Sequence, residues 1–154
     1  MITFRKATTS DVLLYFDWAN DAVVRQQSYQ SEPIDWTNHQ KWFLSKLEDK
    51  NCMMLVFQNE QKQNIGQVRL QLENEKEAVI GISVAGEHRG KGYAKTMIQQ
   101  ASDEFLKHHK VVIHAYIKQE NSSSKKAFEQ AGFQYQEMLP YLNYNSYHYT
   151  KSSL

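Results

Sequence analysis

The spacing of apolar and polar residues changes several times along the chain, and each change marks an element. Residues 2–6 alternate as a half-buried strand does, and Thr9 or Ser10 ahead of Asp11 supplies a helix cap and an acidic first turn. From Val12 the apolar positions Leu13, Leu14, Phe16, Trp18 and Ala19 suit an amphipathic helix that Asn20-Asp21 ends or interrupts. Pro33 bars helix just before it, and Ile34, Trp36, His39, Trp42, Phe43 and Leu47 then recur at spacings of about 3.6 residues. Residues 53–57 form a short apolar strand, 59–64 a polar turn, and 65–72 an alternating partner. After a charged turn at 73–77, residues 78–84 have the content of a central strand, with Gly81 a candidate bulge. Residues 95–109 read as a helix with basic residues at its end, and 111–117 as a buried strand. Asn121 or Ser122 caps a further helix through Gln130, Gly132 stops it, Phe133 opens another strand, and a tyrosine-rich strand closes the chain.

The order β-α-α-β-β-β-α-β-α-β-β predicts an α/β (α+β) fold with helices on both faces of a mixed sheet. At 154 residues the chain fits one domain, residues 1–154. A net charge of +1 gives no field for nucleic acid or an anionic membrane, so any anion must be held by a local site. No apolar run approaches the roughly 20 residues that span a bilayer and no secretory stretch opens the chain, which predicts a cytoplasmic protein. A single cysteine, Cys52, excludes an internal disulfide and a cysteine-cluster metal site; its apolar neighbours fit a structural thiol rather than a nucleophile.

Candidate chemistry starts at the turn Arg89-Gly90-Lys91-Gly92-Tyr93-Ala94, which follows a strand and opens a helix. Unpaired N–H groups at a helix start, glycines that admit oxygen atoms close to the backbone, and the positive charges of Arg89 and Lys91 together make a diphosphate site. An ordinary strand-to-helix loop is the alternative, and the spacing alone does not separate the two. It is neither the longer phosphate loop nor the three-glycine dinucleotide fingerprint. The segment from Ile82 to Ala94 resembles the acetyl-CoA motif of the GNAT N-acetyltransferases, and Asn121 to Phe133 resembles the same family's asparagine helix ending in Gly-Phe. The resemblance implies the GNAT fold: a mixed, mostly antiparallel sheet of six to seven strands flanked by about four helices. It implies acetyl-CoA as cosubstrate and no metal. Backbone N–H groups of Arg89, Gly90, Lys91, Gly92, Tyr93 and Ala94 would hold the pyrophosphate, Ile82 and Val84 would pair with the pantetheine arm, and Asn121 and Ser124 would position it. The acyl oxygen would take a backbone N–H near Ser83 or Val84.

The sequence departs from the family pattern at Glu87, Val79 and Phe128, where glutamine or arginine, a carboxylate and tyrosine are frequent; Val79 removes a common base and Phe128 a common acid. His88, Glu77 and His114 remain candidate bases by residue type, and Tyr141, Tyr144, Tyr147 and Tyr149 candidate acids, Tyr141 first. The early segment from Trp18 to Ser28, with Ile34, His39, Trp42 and Phe43, resembles the acetyltransferases of pseudaminic-acid biosynthesis. That implies a small-molecule amine, the 4-amino group of a UDP-linked 4-amino-4,6-dideoxy sugar, as acceptor. Arg25 would meet a phosphate, Asn20, Ser28 or His39 sugar or base edges, and Trp18 or Trp42 would stack; helix core for the tryptophans and a solvated loop for Arg25 are the alternatives. Partners implied are a monomer or a homodimer, without nucleic acid or membrane. Acetylation of a protein amino terminus and a non-catalytic acetyl-CoA-binding module are the rival functions.

Overall fold

Every element predicted from the alternation is present in the computed structural model, which describes residues 1–153, and three short ones lie between them. In chain order they are β1 (Thr3–Lys6), α1 (Val12–Ala19), α2 (Ala22–Gln27), α3 (Trp36–Glu48), β2 (Cys52–Gln58), β3 (Asn64–Leu72), β4 (Glu77–Val84), α4 (Tyr93–His108), β5 (Val112–Lys118), α5 (Ser122–Gln130), β6 (Gln134–Tyr141) and β7 (Tyr144–Ser152). The additions are α2 and 3-10 turns at Thr9–Asp11 and Gly86–His88. The α2 helix starts because the Asp21 carboxylate accepts from the N–H groups of Val23 and Val24 at 3.0 and 3.2 Å. Asn20-Asp21 is therefore a boundary between two helices rather than an end.

The strands form one seven-stranded sheet in the order β1-β2-β3-β4-β5-β7-β6. All neighbours are antiparallel except β4 and β5. β7 enters beside β5 because a tight turn with Leu142 and Asn143 at φ 47° and 73° folds it back on β6. The expected bulge at Gly81 is absent: Gly81 pairs in register with Arg69, and the ladder continues unbroken on both sides. Gly66 is the strand glycine with a packing reason, since a Cβ there would lie 2.4 Å from the Ser83 carbonyl.

Alternation sends one set of strand side chains to each face. Leu55, Phe57, Val68, Leu70, Ile80 and Ile113 meet Met97, Ile98, Ala101 and Phe105 of α4 and Phe128 of α5. Met54 and Val56 meet Tyr15, Trp18 and Phe43 of α1 and α3. Each fully buried Leu or Phe contributes about 1.5–3 kcal/mol. The α5 helix ends in a Schellman motif, with Phe133 N–H on the Phe128 carbonyl at 3.0 Å and Gly132 at φ 95°. No helix among the described residues is long and apolar enough to cross a membrane.

β1 is tied to the start of α1 by a two-pronged ion pair, Arg5 Nη1 and Nη2 each donating at 2.8 Å to Asp11. Arg5 holds the buried Asp11 carboxyl below its ordinary value near 3.8. A depressed folded-state value means that this stabilisation is complete above the ordinary carboxylate range and drains away as pH falls through the lowered one. Asp11→Asn should therefore unfold at lower urea than the parent at pH 7, with the two midpoints converging as pH falls through the lowered Asp11 value. A gap that stays constant across that range would deny the ion pair its role.

Candidate active site

The sheet opens where its one parallel pair parts. β4 pairs with β5 only from Glu77 to Val79, against Val112 to His114, while β5 runs on to Lys118 along β7. Beyond Val79 the β5-facing edge of β4 has no strand beside it. Which residues face that edge follows from ladder parity: Ala85 N–H donates to Ile65 O at 2.8 Å, so Ser83 and Gly81, two and four residues back, also turn their backbone groups to β3. Ile82 and Val84 turn theirs into the gap. Of the two residues expected near the acyl oxygen, Ser83 turns its N–H to β3 and is not available to the gap, whereas Val84, like Ile82, is. The Ser83 hydroxyl is also engaged, accepting from Gln67 Nε2 at 3.0 Å.

The glycine turn lies at the end of this gap. Gly90 and Gly92 both adopt φ 78°, a left-handed conformation that side-chain-bearing residues rarely take, and a Cβ on either would meet nothing within 4 Å. Glycine is required by the backbone, and its result is an open surface. Gly92 is the N-cap of α4 and no side chain caps the helix, so the first N–H groups, from Tyr93 and Ala94 on, are unanswered and sit at the positive end of the helix dipole. Lys91 is exposed beside them. Arg89 departs from expectation: its N–H is used by Gly86 O at 3.3 Å, and its guanidinium is paired with Asp21 at 2.8 Å. Asp21 is held below its usual value chiefly by that Arg89 hydrogen bond. Arg89 therefore staples the turn to α2 instead of lending it a mobile charge. Across the gap, Asn121 caps α5 by accepting from Ser124 N–H at 3.3 Å, which places both residues on the opposite wall.

Behind the gap, between the sheet and the α1–α3 segment, is a cavity of about 720 Å³. Several sequence candidates on this side prove to build its wall. Asn20 clamps the chain at Ile34, giving Nδ2–H to its carbonyl at 2.9 Å and taking its N–H at 2.7 Å, so its amide is fully used and lies outside the cavity lining. Arg25 lines the cavity, but its guanidinium donates to the carbonyls of Ala19 (2.6 Å), Gln30 (2.6 Å) and Glu32 (3.3 Å) and to Ser28 Oγ (3.2 Å). Ser28 in turn donates to Val24 O at 2.6 Å. His39 is 2 % exposed, a core histidine within hydrogen-bonding distance of Val12 O at 2.9 Å and stacked on Phe43. Trp18 is buried against Tyr15. The helix-core alternative for Trp18 is the one the geometry favours; Arg25 is not a solvated loop residue but a clamp on backbone carbonyls, and Asn20 and His39 are likewise spent on backbone.

Residues that the sequence did not single out finish the cavity. Tyr29 bends over it, its hydroxyl 2.5 Å from Ser146 Oγ and its ring edge-on to Tyr141. Lys118 is buried, its ammonium 3.8 Å from the Tyr144 ring centre and 3.3 Å from Gln26 O. Arg69 reaches in from β3 with its guanidinium 5.0 Å from the Trp42 ring centre. Each sits at a polar position of an ordinary alternating strand or loop, which is no signal by itself.

Of the four candidate acids only Tyr141 lines the cavity, stacked face to face on Tyr116 at 3.9 Å. Burial raises its pKa, so it stays protonated. Tyr149 is core, pushed up to about 12 by burial and by its bond to Glu129. Of the candidate bases, His88 is buried under the turn against Tyr93, away from the cavity lining. Glu77 and His114 meet each other at 2.9 Å in a shallow annex beside Val79, Tyr116 and Tyr141, and His114 Nδ1 lies 2.7 Å from His148 Nε2. Cys52 is half-buried and burial pushes its thiol up, which suits packing rather than attack. Among the described residues no group of His, Cys, Asp and Glu could hold a metal ion.

A parallel strand pair that parts beside an uncapped helix start, with a cavity behind the gap, leaves room for an extended ligand along the open strand edge and for an anion at the helix start. Residues 1–134 match the family model of the acetyltransferase (GNAT) domain. The chain belongs to the GNAT acetyltransferase family, N-acetyltransferases that use acetyl-CoA. It is 26% identical over 137 residues to spermidine N(1)-acetyltransferase of Vibrio cholerae, covering 86% of this chain and 78% of that protein. It is also 26% identical over 138 residues to an uncharacterized protein of Methanocaldococcus jannaschii, of whose length it spans only 28%. Among solved structures it resembles spermidine N-acetyltransferase of Vibrio cholerae with CoA and spermine, with a TM-score of 0.84 at 23% identity over 97% of this chain and 93% of that one. It resembles aminoglycoside acetyltransferase AAC(6')-Ib with coenzyme A equally well, with a TM-score of 0.85 at 15% identity over 99% and 95% of the two chains. These likenesses establish the fold.

Proposed function

We propose that the protein transfers acetyl from acetyl-CoA to a primary amine of a small anionic molecule, the 4-amino group of a UDP-linked 4-amino-4,6-dideoxy sugar. The observation that carries the anionic acceptor is the charge of the cavity wall. Arg25, Arg69 and Lys118 line it, and the bonds of Arg25 and Lys118 run to neutral groups, so no carboxylate cancels them. The one lining carboxylate, Asp35, caps α3 through Thr37 and Asn38 N–H. Cations in a partly desolvated wall attract a diphosphate and repel a polyamine. The segment from Ser28 to Ile34 also roofs the cavity, which suits a compact acceptor better than a protein amino terminus in an open groove.

In this reading the pyrophosphate of acetyl-CoA rests on the N–H groups from Gly90 to Ala94 and the pantetheine arm pairs with Ile82 and Val84 as an added strand. The acyl oxygen accepts a backbone N–H of the gap edge, which stabilises charge as the neutral amine attacks. The new N–C bond forms as the C–S bond breaks, the amine's proton passes to solvent, and the Tyr141 hydroxyl protonates the departing thiolate. The expected result is thiol release from acetyl-CoA that depends on a 4-amino sugar nucleotide. Release with spermidine, an aminoglycoside or a peptide alone would replace this acceptor, and no release across such a panel would leave an acetyl-CoA-binding module.

A further inference from the structure

Two polar groups lining the cavity, on β3 and α1, have no hydrogen-bond partner. Among the described residues the Arg69 guanidinium makes no hydrogen bond and no ion pair, and what it touches is the Trp42 ring. Burial lowers its pKa, and the field of Tyr15 is among the influences on it. The Tyr15 hydroxyl is buried and also without a hydrogen-bond partner. Leaving such groups unanswered costs about 1–3 kcal/mol each, more for a charge. The register explains why the guanidinium stays open. Arg69 pairs with Gly81 on β4, the nearest point of a Cβ built there is 3.9 Å from Arg69 Nη2, and glycine leaves that space empty.

We propose that Arg69, with Trp42 beneath it, is the subsite for an oxyanion of the acceptor, a phosphate or a carboxylate. This rests on the reading of the cavity as the acceptor site. The placement suits that role. Gly81 is one residue before Ile82, whose N–H faces the gap, and Arg69 is one strand across. Arg69 Nη2 itself reaches to 3.9 Å from a Cβ built at Gly81, so an anion on it would be separated from the gap edge by little more than the width of β4. That separation fits an amine and an oxyanion on one small molecule. A guanidinium can take such a group through two parallel N–H bonds.

Arg69→Gln is expected to raise KM for an anionic acceptor about 10- to 100-fold, with kcat and the KM for acetyl-CoA nearly unchanged. An uncharged amine of the same size should lose nothing. Gly81→Val, which covers the guanidinium while leaving its charge in place, should show the same selective loss in a protein with an unaltered melting midpoint. Equal losses for charged and uncharged acceptors, or no loss for either, would overturn the subsite. Titrating tryptophan fluorescence of the CoA-saturated protein with UDP and with N-acetylglycine identifies the source of the anion. Binding of UDP that Arg69→Gln weakens supports the subsite together with the sugar-nucleotide acceptor. Binding of N-acetylglycine alone that Arg69→Gln weakens supports the subsite and removes that acceptor, and binding of either probe indifferent to Arg69 rejects the subsite.

Discussion

Gly90→Glu is expected to weaken acetyl-CoA binding by more than about 100-fold while leaving the fold in place. Two effects act in the same direction. A side chain at φ 78° carries strain of about 1–2 kcal/mol, which loosens the turn that aims the N–H groups. The larger effect is electrostatic. A Cβ at Gly90 has nothing within 4 Å, so the new carboxylate projects over the open surface proposed for the pyrophosphate. There it repels the phosphates and competes for the same unanswered donors at the start of α4. Gly90→Ala separates the two, since it keeps the strain and adds no charge, and should cost only a few-fold. Isothermal titration with acetyl-CoA measures both. Wild-type affinity in a folded Gly90→Glu protein would remove the turn from the donor site.

The difference between what was legible and what was not follows the range of the interactions. Element order was readable because alternation and helical spacing are local, and so was the glycine turn, whose φ values need no distant partner. Asp21 shows the first limit. It was read as a breaker, yet it caps α2 and holds Arg89, a contact across 68 positions that no local pattern encodes. Arg69 shows the second. At positions 67, 69 and 71 β3 alternates as a strand with a wet face does, but α1 and α3 cover that face, so an arginine that reads as solvated lies in a cavity wall. Asn20 and His39 failed in the opposite sense: residue types that suit a sugar are the ones that also satisfy buried backbone, and only the partner atoms, Ile34 and Val12, separate the two uses. That Ser83 turns its N–H to β3 while Val84 turns its into the gap was unreadable, because strand parity depends on a pairing register that the sequence does not show.

Arg25 gives the second large effect, and it distinguishes scaffold from ligand. The guanidinium gathers carbonyls from both ends of the segment that roofs the cavity, Ala19 on one side and Gln30 and Glu32 on the other, in addition to Ser28. Arg25→Ala leaves these acceptors unanswered and frees residues 28–33, and with them Tyr29, whose ring closes on Tyr141. Expected are a loss of about 2 kcal/mol in stability and a rise of 10- to 100-fold, roughly, in acceptor KM, with acetyl-CoA affinity unchanged because Gly90 and Gly92 lie outside the segment. Arg25→Lys then decides the role. A lysine keeps the positive charge but lacks the planar fork, and one ammonium cannot span carbonyls on two sides. If Arg25 is a scaffold residue, lysine rescues neither stability nor KM. If it is a phosphate ligand, lysine restores much of the KM, and the melting midpoint of the alanine variant stays close to that of the parent. Chemical denaturation and acceptor kinetics on the two variants measure both quantities, and a rescue of KM by lysine would return Arg25 to the substrate.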